Sequence, residues 1–130
     1  MSLEESYIKT ETMFFDTYAF IEIIKHNKNY NKYRYTRIFT TKLNIFELYY
    51  YLLKNFHSEV IDTIIDEYYK FIIDFDKEVI ENAAKFRLLN NKNNLSMTDC
   101  IGYVIAKKNN IKFLTGDKEF EGLSYVEFVK

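Results

Sequence analysis

What most limits the fold of this chain is the way two hydrophobic periods take turns along it. Short runs rich in β-branched and aromatic residues, Thr12–Phe15, Arg37–Thr41, Phe71–Phe75, Ile111–Leu114 and Tyr125–Val129, read as strands. Between them, apolar residues recur every three or four positions, as a helix face requires. Tyr18, Ile21 and Ile24 mark one helix, Ile45, Leu48, Tyr49, Leu52 and Phe56 a second, and Val60, Ile61, Ile64, Ile65 and Tyr68 a third. Val79, Ile80, Ala83 and Phe86 follow Asp76, which stands where an N-cap belongs, and Met97, Ile101, Val104 and Ile105 follow Ser96 in the same way. Asn90–Asn94 is a loop. This alternation predicts an α/β sandwich around a largely parallel sheet, whose sites form beyond the carboxyl ends of the strands. Asp16 and Asp117 both fall there.

The chain has 130 residues, enough for one domain (1–130) with a real core, and residues 1–11 are expected to be a poorly ordered leader. A hydrophobic content of 48% with three Gly and no Pro describes an ordered globule. The polar start lacks the apolar run of a signal peptide, and no stretch approaches the length of a membrane span. Cys100 is the only cysteine, which excludes an internal disulfide and fits a cytoplasmic protein; its apolar neighbours make it a core thiol.

A net charge of −1 argues against a general nucleic-acid-coating protein. The charges are unevenly placed, however. Residues 25–42 carry Lys25, Lys28, Lys32, Arg34, Arg37 and Lys42 with no acid, interleaved with Tyr30, Tyr33 and Tyr35, whereas 59–81 carry eight acids against Lys70 and Lys77. Basic and aromatic side chains together can grip phosphates and stack on unpaired bases. A solvated loop explains the same pattern, and the residues alone do not decide.

Four carboxylates, Asp16, Glu47, Asp99 and Asp117, stand where a hydrophobic or turn segment gives way to a helix. Each has an ordinary explanation. Asn44 with Glu47, and Ser96 with Asp99, have capping-box spacing, while Asp16 and Asp117 can be plain N-caps. Asp99 strains that explanation, because it heads a stripe of small residues, Gly102 and Ala106, opposite the apolar face of its helix. Such a stripe lets the helix lie close against a neighbour and puts the carboxylate at the mouth of a packed interface, where it needs a partner or a cation. Other chemistries lack their residues. His26 and His57 have no partners at zinc spacing, and no glycine-rich phosphate loop or nucleophile elbow occurs. Asp74-Phe75-Asp76 is followed by Glu78 where a haloacid-dehalogenase motif needs Thr or Val, and a phospho-accepting receiver domain would need adjacent acids and a Lys-Pro that are missing.

From Met13 to Val129 the order and setting of these residues resemble the PIN-domain family of ribonucleases, especially its short toxin-like members. Met13-Phe14-Phe15-Asp16-Thr17 is similar to the family's opening strand, and the segment from Thr40 to Glu47 resembles its second acidic element. The segment from Asp99 to Ala106 matches its Asp-headed helix, and Phe113–Phe120 its closing Thr-x-Asp-x-x-Phe element. Gly116 departs from the pattern, since toxin members often carry Arg or Lys there. The resemblance implies a three-layer sandwich with a central, mostly parallel five-stranded sheet in the order 3-2-1-4-5. It implies one or two Mg²⁺ or Mn²⁺ ions held by Asp16, Glu47, Asp99 and Asp117, with Thr115 orienting Asp117. The activity implied is endonucleolytic hydrolysis of single-stranded RNA, with Lys32, Arg34 and Arg37 as RNA contacts and an antitoxin protein and a second copy of the chain as partners. A catalytically silent module of the same fold, binding RNA or protein, is the alternative.

Overall fold

The computed structural model describes residues 11–57 and 59–130. The expected leader therefore lies, apart from Glu11, outside the described residues. Four strands form one sheet: β1 (Thr12–Phe15), β2 (Arg37–Phe39), β3 (Lys112–Thr115) and β4 (Val126–Phe128), in the order β2-β1-β3-β4 and with every pairing parallel. β1 is an inner strand covered on both faces, which is why Met13, Phe14 and Phe15 run without a polar interruption. Successive side chains of a strand point to opposite faces. Met13, Phe15 and Leu114 accordingly join one core with Phe20, Leu48 and Leu52, while Phe14 and Phe113 join the other with Val79, Ile101 and Phe120.

Helices cover both faces. α1 (Thr17–Ile24), α2 (Lys42–Asn55) and α3 (Ile61–Tyr69) contribute to the first core, α4 (Lys77–Leu89) and α5 (Met97–Lys108) to the second. α5 lies against β1 through Gly102, where a Cβ would come within 2.6 Å of the Phe14 ring. The small-residue stripe thus faces the sheet. Cys100 is buried among apolar side chains, and burial pushes its thiol up to about 11. Residues 28–35, with the tyrosines of the basic segment, form a 3-10 helix that buries Tyr30 and Tyr33.

The five-stranded sheet is not realised. Phe71–Phe75 contributes one parallel bridge, Thr40 to Ile72, instead of a third strand. The reason is room. α3 ends at Tyr69 and its last turns hold the amides of Phe71 and Ile72 on the carbonyls of Tyr68 and Tyr69, while Asp76 already caps α4. On the facing side Thr41 is the N-cap of α2, so β2 stops as well. Among the described residues, no helix is long and apolar enough to cross a membrane.

Candidate active site

β1 ends at Phe15 and α1 begins at Thr17, which leaves Asp16 alone at the carboxyl end of the sheet. Its amide donates to the Leu114 carbonyl (3.1 Å), so its backbone is fixed by β3. One carboxylate oxygen, Oδ1, accepts from the Thr17 amide (2.9 Å) as an N-cap. The other, Oδ2, accepts from the Thr115 hydroxyl (2.8 Å). Thr115 is fully buried at the end of β3, and its oxygen also accepts from the Asp117 amide (3.1 Å). One hydroxyl therefore ties the first acid to the last. Thr115 orients Asp117 through the backbone, and it serves Asp16 besides.

Asp117 caps the short 3-10 turn Lys118–Phe120, with Oδ1 accepting from the Glu119 amide at 3.0 Å. Asp99 sits in the first turn of α5 in a complete capping box: the Ser96 amide donates to its Oδ2 (2.9 Å), and its own amide donates to the Ser96 hydroxyl (3.1 Å). The matching expectation for Asn44 and Glu47 fails. Thr41 caps α2, Asn44 lies inside the helix, and Glu47 is a turn further on, reached by the Thr17 hydroxyl at 2.6 Å.

The four acids act on one another. Burial first, then the charges of Asp99 and Glu47, push Asp16 up to about 8, against the opposing bonds from Thr115 and Thr17. Burial also raises Asp99, with Asp117 and Glu47 adding to it and the bonds to Ser96 opposing. Asp16 is only 3% exposed, while Glu47, Asp99 and Asp117 form a half-buried rim. None of the four forms a salt bridge among the described residues. A carboxylate cluster in which Asp16 and Asp99 hold their protons more tightly, with hard oxygen donors and no cationic side chain paired to it, suits Mg²⁺ or Mn²⁺. Its geometry is not that of a closed cage: among the described residues no three acid, His or Cys side chains converge as a ready-made metal group. Each carboxylate is instead turned toward a cap or a hydroxyl.

The basic residues stand elsewhere. Arg37 opens β2 opposite Thr12, at the far end of the sheet from Asp16. Arg34 is directed to the Ile23 carbonyl (3.1 Å) and the His26 ring (3.2 Å) at the end of α1. Lys32 lies over the Tyr33 ring. The structure puts the four acids within electrostatic reach of one another, with Thr115 bonded to Asp16 and to the Asp117 amide, and none of the three basic residues is bonded to them. It also supplies Thr17 and Thr41, to which the sequence pattern gave no role, and gives Asn44 a different one: the three form a polar group behind Glu47. The hydroxyl pair Thr40-Thr41 directly before a helix, with Asn three residues after Thr41, was the available sign of it.

The family model of the PIN domain matches residues 13–124. No curated protein matches the chain. Among solved structures, a toxin–antitoxin complex from Klebsiella pneumoniae superposes with a TM-score of 0.68 at 15% identity, covering 88% of this chain and 95% of that one. VapBC2 from Rickettsia felis, bound to a DNA fragment from its promoter, gives 0.69 at 18% identity, covering 91% and 97%. A member of the VapBC family of toxin–antitoxin systems from Mycobacterium tuberculosis gives 0.62 at 15% identity, covering 92% and 98%. At such identities the likeness is one of fold.

Proposed function

This chain belongs to the PIN-domain family, and we propose that it acts as a metal-dependent endoribonuclease on single-stranded RNA, as the toxin of a toxin–antitoxin pair. The observation that carries the proposal is that the buried Asp16 at the end of β1 and the Asp99 of α5 both feel the charge of neighbouring acids, Glu47 on each and Asp117 on Asp99, with Thr115 bonded to Asp16 and to the Asp117 amide. These four would hold Mg²⁺ or Mn²⁺, with Asp16 and Asp99 on the same ion and Glu47 and Asp117 completing the set. Bound there, the metal would supply a Lewis acid and an activated water.

The chain's own residues do the positioning. The Thr115 hydroxyl fixes Asp16 Oδ2 and the Asp117 amide, the capping box fixes Asp99, and the Thr17 hydroxyl fixes Glu47. A phosphodiester approaches from the rim, since Asp16 itself is covered. Water adds to phosphorus and gives up a proton, the bond to the 3′ oxygen breaks and that oxygen takes a proton, leaving a 5′-phosphate and a 3′-hydroxyl. Lys32, Arg34 and Arg37 are left to contacts with RNA beyond the cut, because Arg37 lies at the other end of the sheet and Lys32 and Arg34 stand on the neighbouring 3-10 helix. One cytoplasmic domain over residues 1–130 and a homodimer belong to the same reading, as does an antitoxin partner, which the toxin–antitoxin structures of like fold support.

Asp16→Asn is expected to abolish Mn²⁺-dependent cleavage of single-stranded RNA while circular dichroism stays native. Cleavage at the wild-type rate would overturn the assignment. The open arrangement of the carboxylates favours one second reading, a silent module that binds RNA or protein. Calorimetric titration with Mn²⁺ separates the two, as the silent module takes up none.

A further inference from the structure

Asn44 is fully buried, yet its side chain is polar and lies between two helix starts that carry the site. Its contacts form a chain with a direction. The Thr41 hydroxyl accepts from the Asn44 amide N–H (3.3 Å), and its own hydrogen goes to Asn44 Oδ1 (2.7 Å). With Oδ1 so occupied, the amide nitrogen Nδ2 faces Thr17 and donates to its hydroxyl oxygen (3.1 Å). A hydroxyl has one hydrogen. Since Thr17 already accepts from Asn44, that hydrogen is free for Glu47 Oε1, at 2.6 Å.

Capping α2 does not need this arrangement, because the Thr41 oxygen meets the helix amide without any help from the Asn44 side chain. What the carboxamide adds is polarity. Reversed, its oxygen would compete with Glu47 for the Thr17 hydrogen. Glu47 is half-buried and sits on a flexible side chain, so a single short bond to one of its oxygens largely decides where the other points.

We propose that Asn44 is a positioning residue that aims the Glu47 carboxylate into the acidic cluster by fixing the direction of the Thr17 hydroxyl. The inference rests on the reading of Glu47 as a metal-site residue. Asn44 touches neither the substrate nor the reacting atoms; it acts through Thr17. Groups that orient a ligand from behind commonly change metal affinity about 10–100-fold when removed.

The test uses the full chain and Mn²⁺ alone, by calorimetry, with RNA cleavage measured alongside. Asn44→Leu keeps the volume and removes the amide, and is expected to weaken Mn²⁺ binding about tenfold. Cleavage should fall at limiting Mn²⁺ and return when the metal is saturating. Because Asn44→Leu strips a buried polar group of its partners, Thr17→Val provides the same break at a half-exposed position, and Thr17→Ser, which keeps the hydroxyl, should restore the affinity. In a Glu47→Gln background Asn44→Leu and Thr17→Val should add nothing further. Wild-type affinity in Thr17→Val, or a further loss of equal size in the Glu47→Gln background, would overturn the positioning role. Failure of the functional reading looks different: wild-type protein and Asp16→Asn would then be alike in taking up no Mn²⁺.

Discussion

Replacing Asp16 by Asn tests the electrostatics of the cluster separately from any reaction it performs. In the metal-free protein, burial, helped by Asp99 and Glu47, lifts Asp16 from 3.8 to about 8. The folded chain then keeps a proton that the unfolded chain releases near pH 4. Stability from this group is complete below the unfolded pKa and is lost as pH rises through the folded one. One unit of separation corresponds to about 1.4 kcal/mol, so the full separation sets a ceiling of roughly 6 kcal/mol. Relaxation and water entry give protein sites an effective dielectric constant nearer 20 than 4, and about 2 kcal/mol is the expected loss between pH 5 and pH 8. The substitution preserves shape and one acceptor oxygen but forfeits one of the bonds from Thr17 and Thr115, at about 1 kcal/mol. Urea unfolding in a chelator should therefore show Asp16→Asn slightly less stable than wild type at pH 5 and more stable at pH 8. Adding Mn²⁺ at pH 8 should raise the wild-type midpoint and leave the variant unmoved. An equal slope of stability with pH in both proteins would refute the reasoning, because it would mean that the buried carboxyl does not hold its proton.

Two further substitutions probe the turn after β3. A Cβ at Gly116 would lie 2.2 Å from the Tyr18 ring and 2.4 Å from the Val129 carbonyl, so Gly116→Ala should cost about 2 kcal/mol in urea unfolding. Adding Tyr18→Ala should recover only part of that, since Val129 contributes backbone. Thr115→Val removes the donor to Asp16 and the acceptor for the Asp117 amide, and RNA cleavage should fall about 10–100-fold. In the same variant the Asp16 titration, followed through its carboxyl carbon by NMR, should move to still higher pH, because the Thr115 bond holds it down.

Much of the architecture could be read from local pattern, where local physics decides. The continuous apolar run at Met13–Phe15 belongs to a strand with both faces covered, and Asp76 and Ser96 cap the helices they precede. The errors arise where two elements compete for the same residues. Phe71–Phe75 has strand composition, yet the end of α3 and the start of α4 claim its flanks. Asn44 and Glu47 have capping-box spacing, yet Thr41, three residues earlier, holds the helix start. The four acids stand out in the sequence because each lies at a strand end or in the first two turns of a helix. Their support was harder to see: the path from Thr41 through Asn44 and Thr17 to Glu47 joins residues 30 positions apart and depends on how β1 and β2 lie side by side. The placement of the basic segment was hard to see for a related reason. Parallel pairing of β1 and β2 puts Arg37 beside Thr12 and so away from Asp16, a consequence of strand direction that charge pattern does not contain.

The glycine between Thr115 and Asp117 also bears on how this site can change over time. The Tyr18 ring and the Val129 carbonyl fill the volume a side chain at 116 would use, and Val129 is held there by its own amide on the Thr115 carbonyl and by the Tyr30 hydroxyl on its oxygen. The basic residue that toxin-like relatives often carry at this point is therefore not one substitution away from this chain. Tyr18 would have to shrink and the segment after the last strand would have to give way first. Position 116 is held by epistasis, and a selection for altered substrate grip in this protein should find its answers on the Glu47 and Asp99 side of the site before it finds them here.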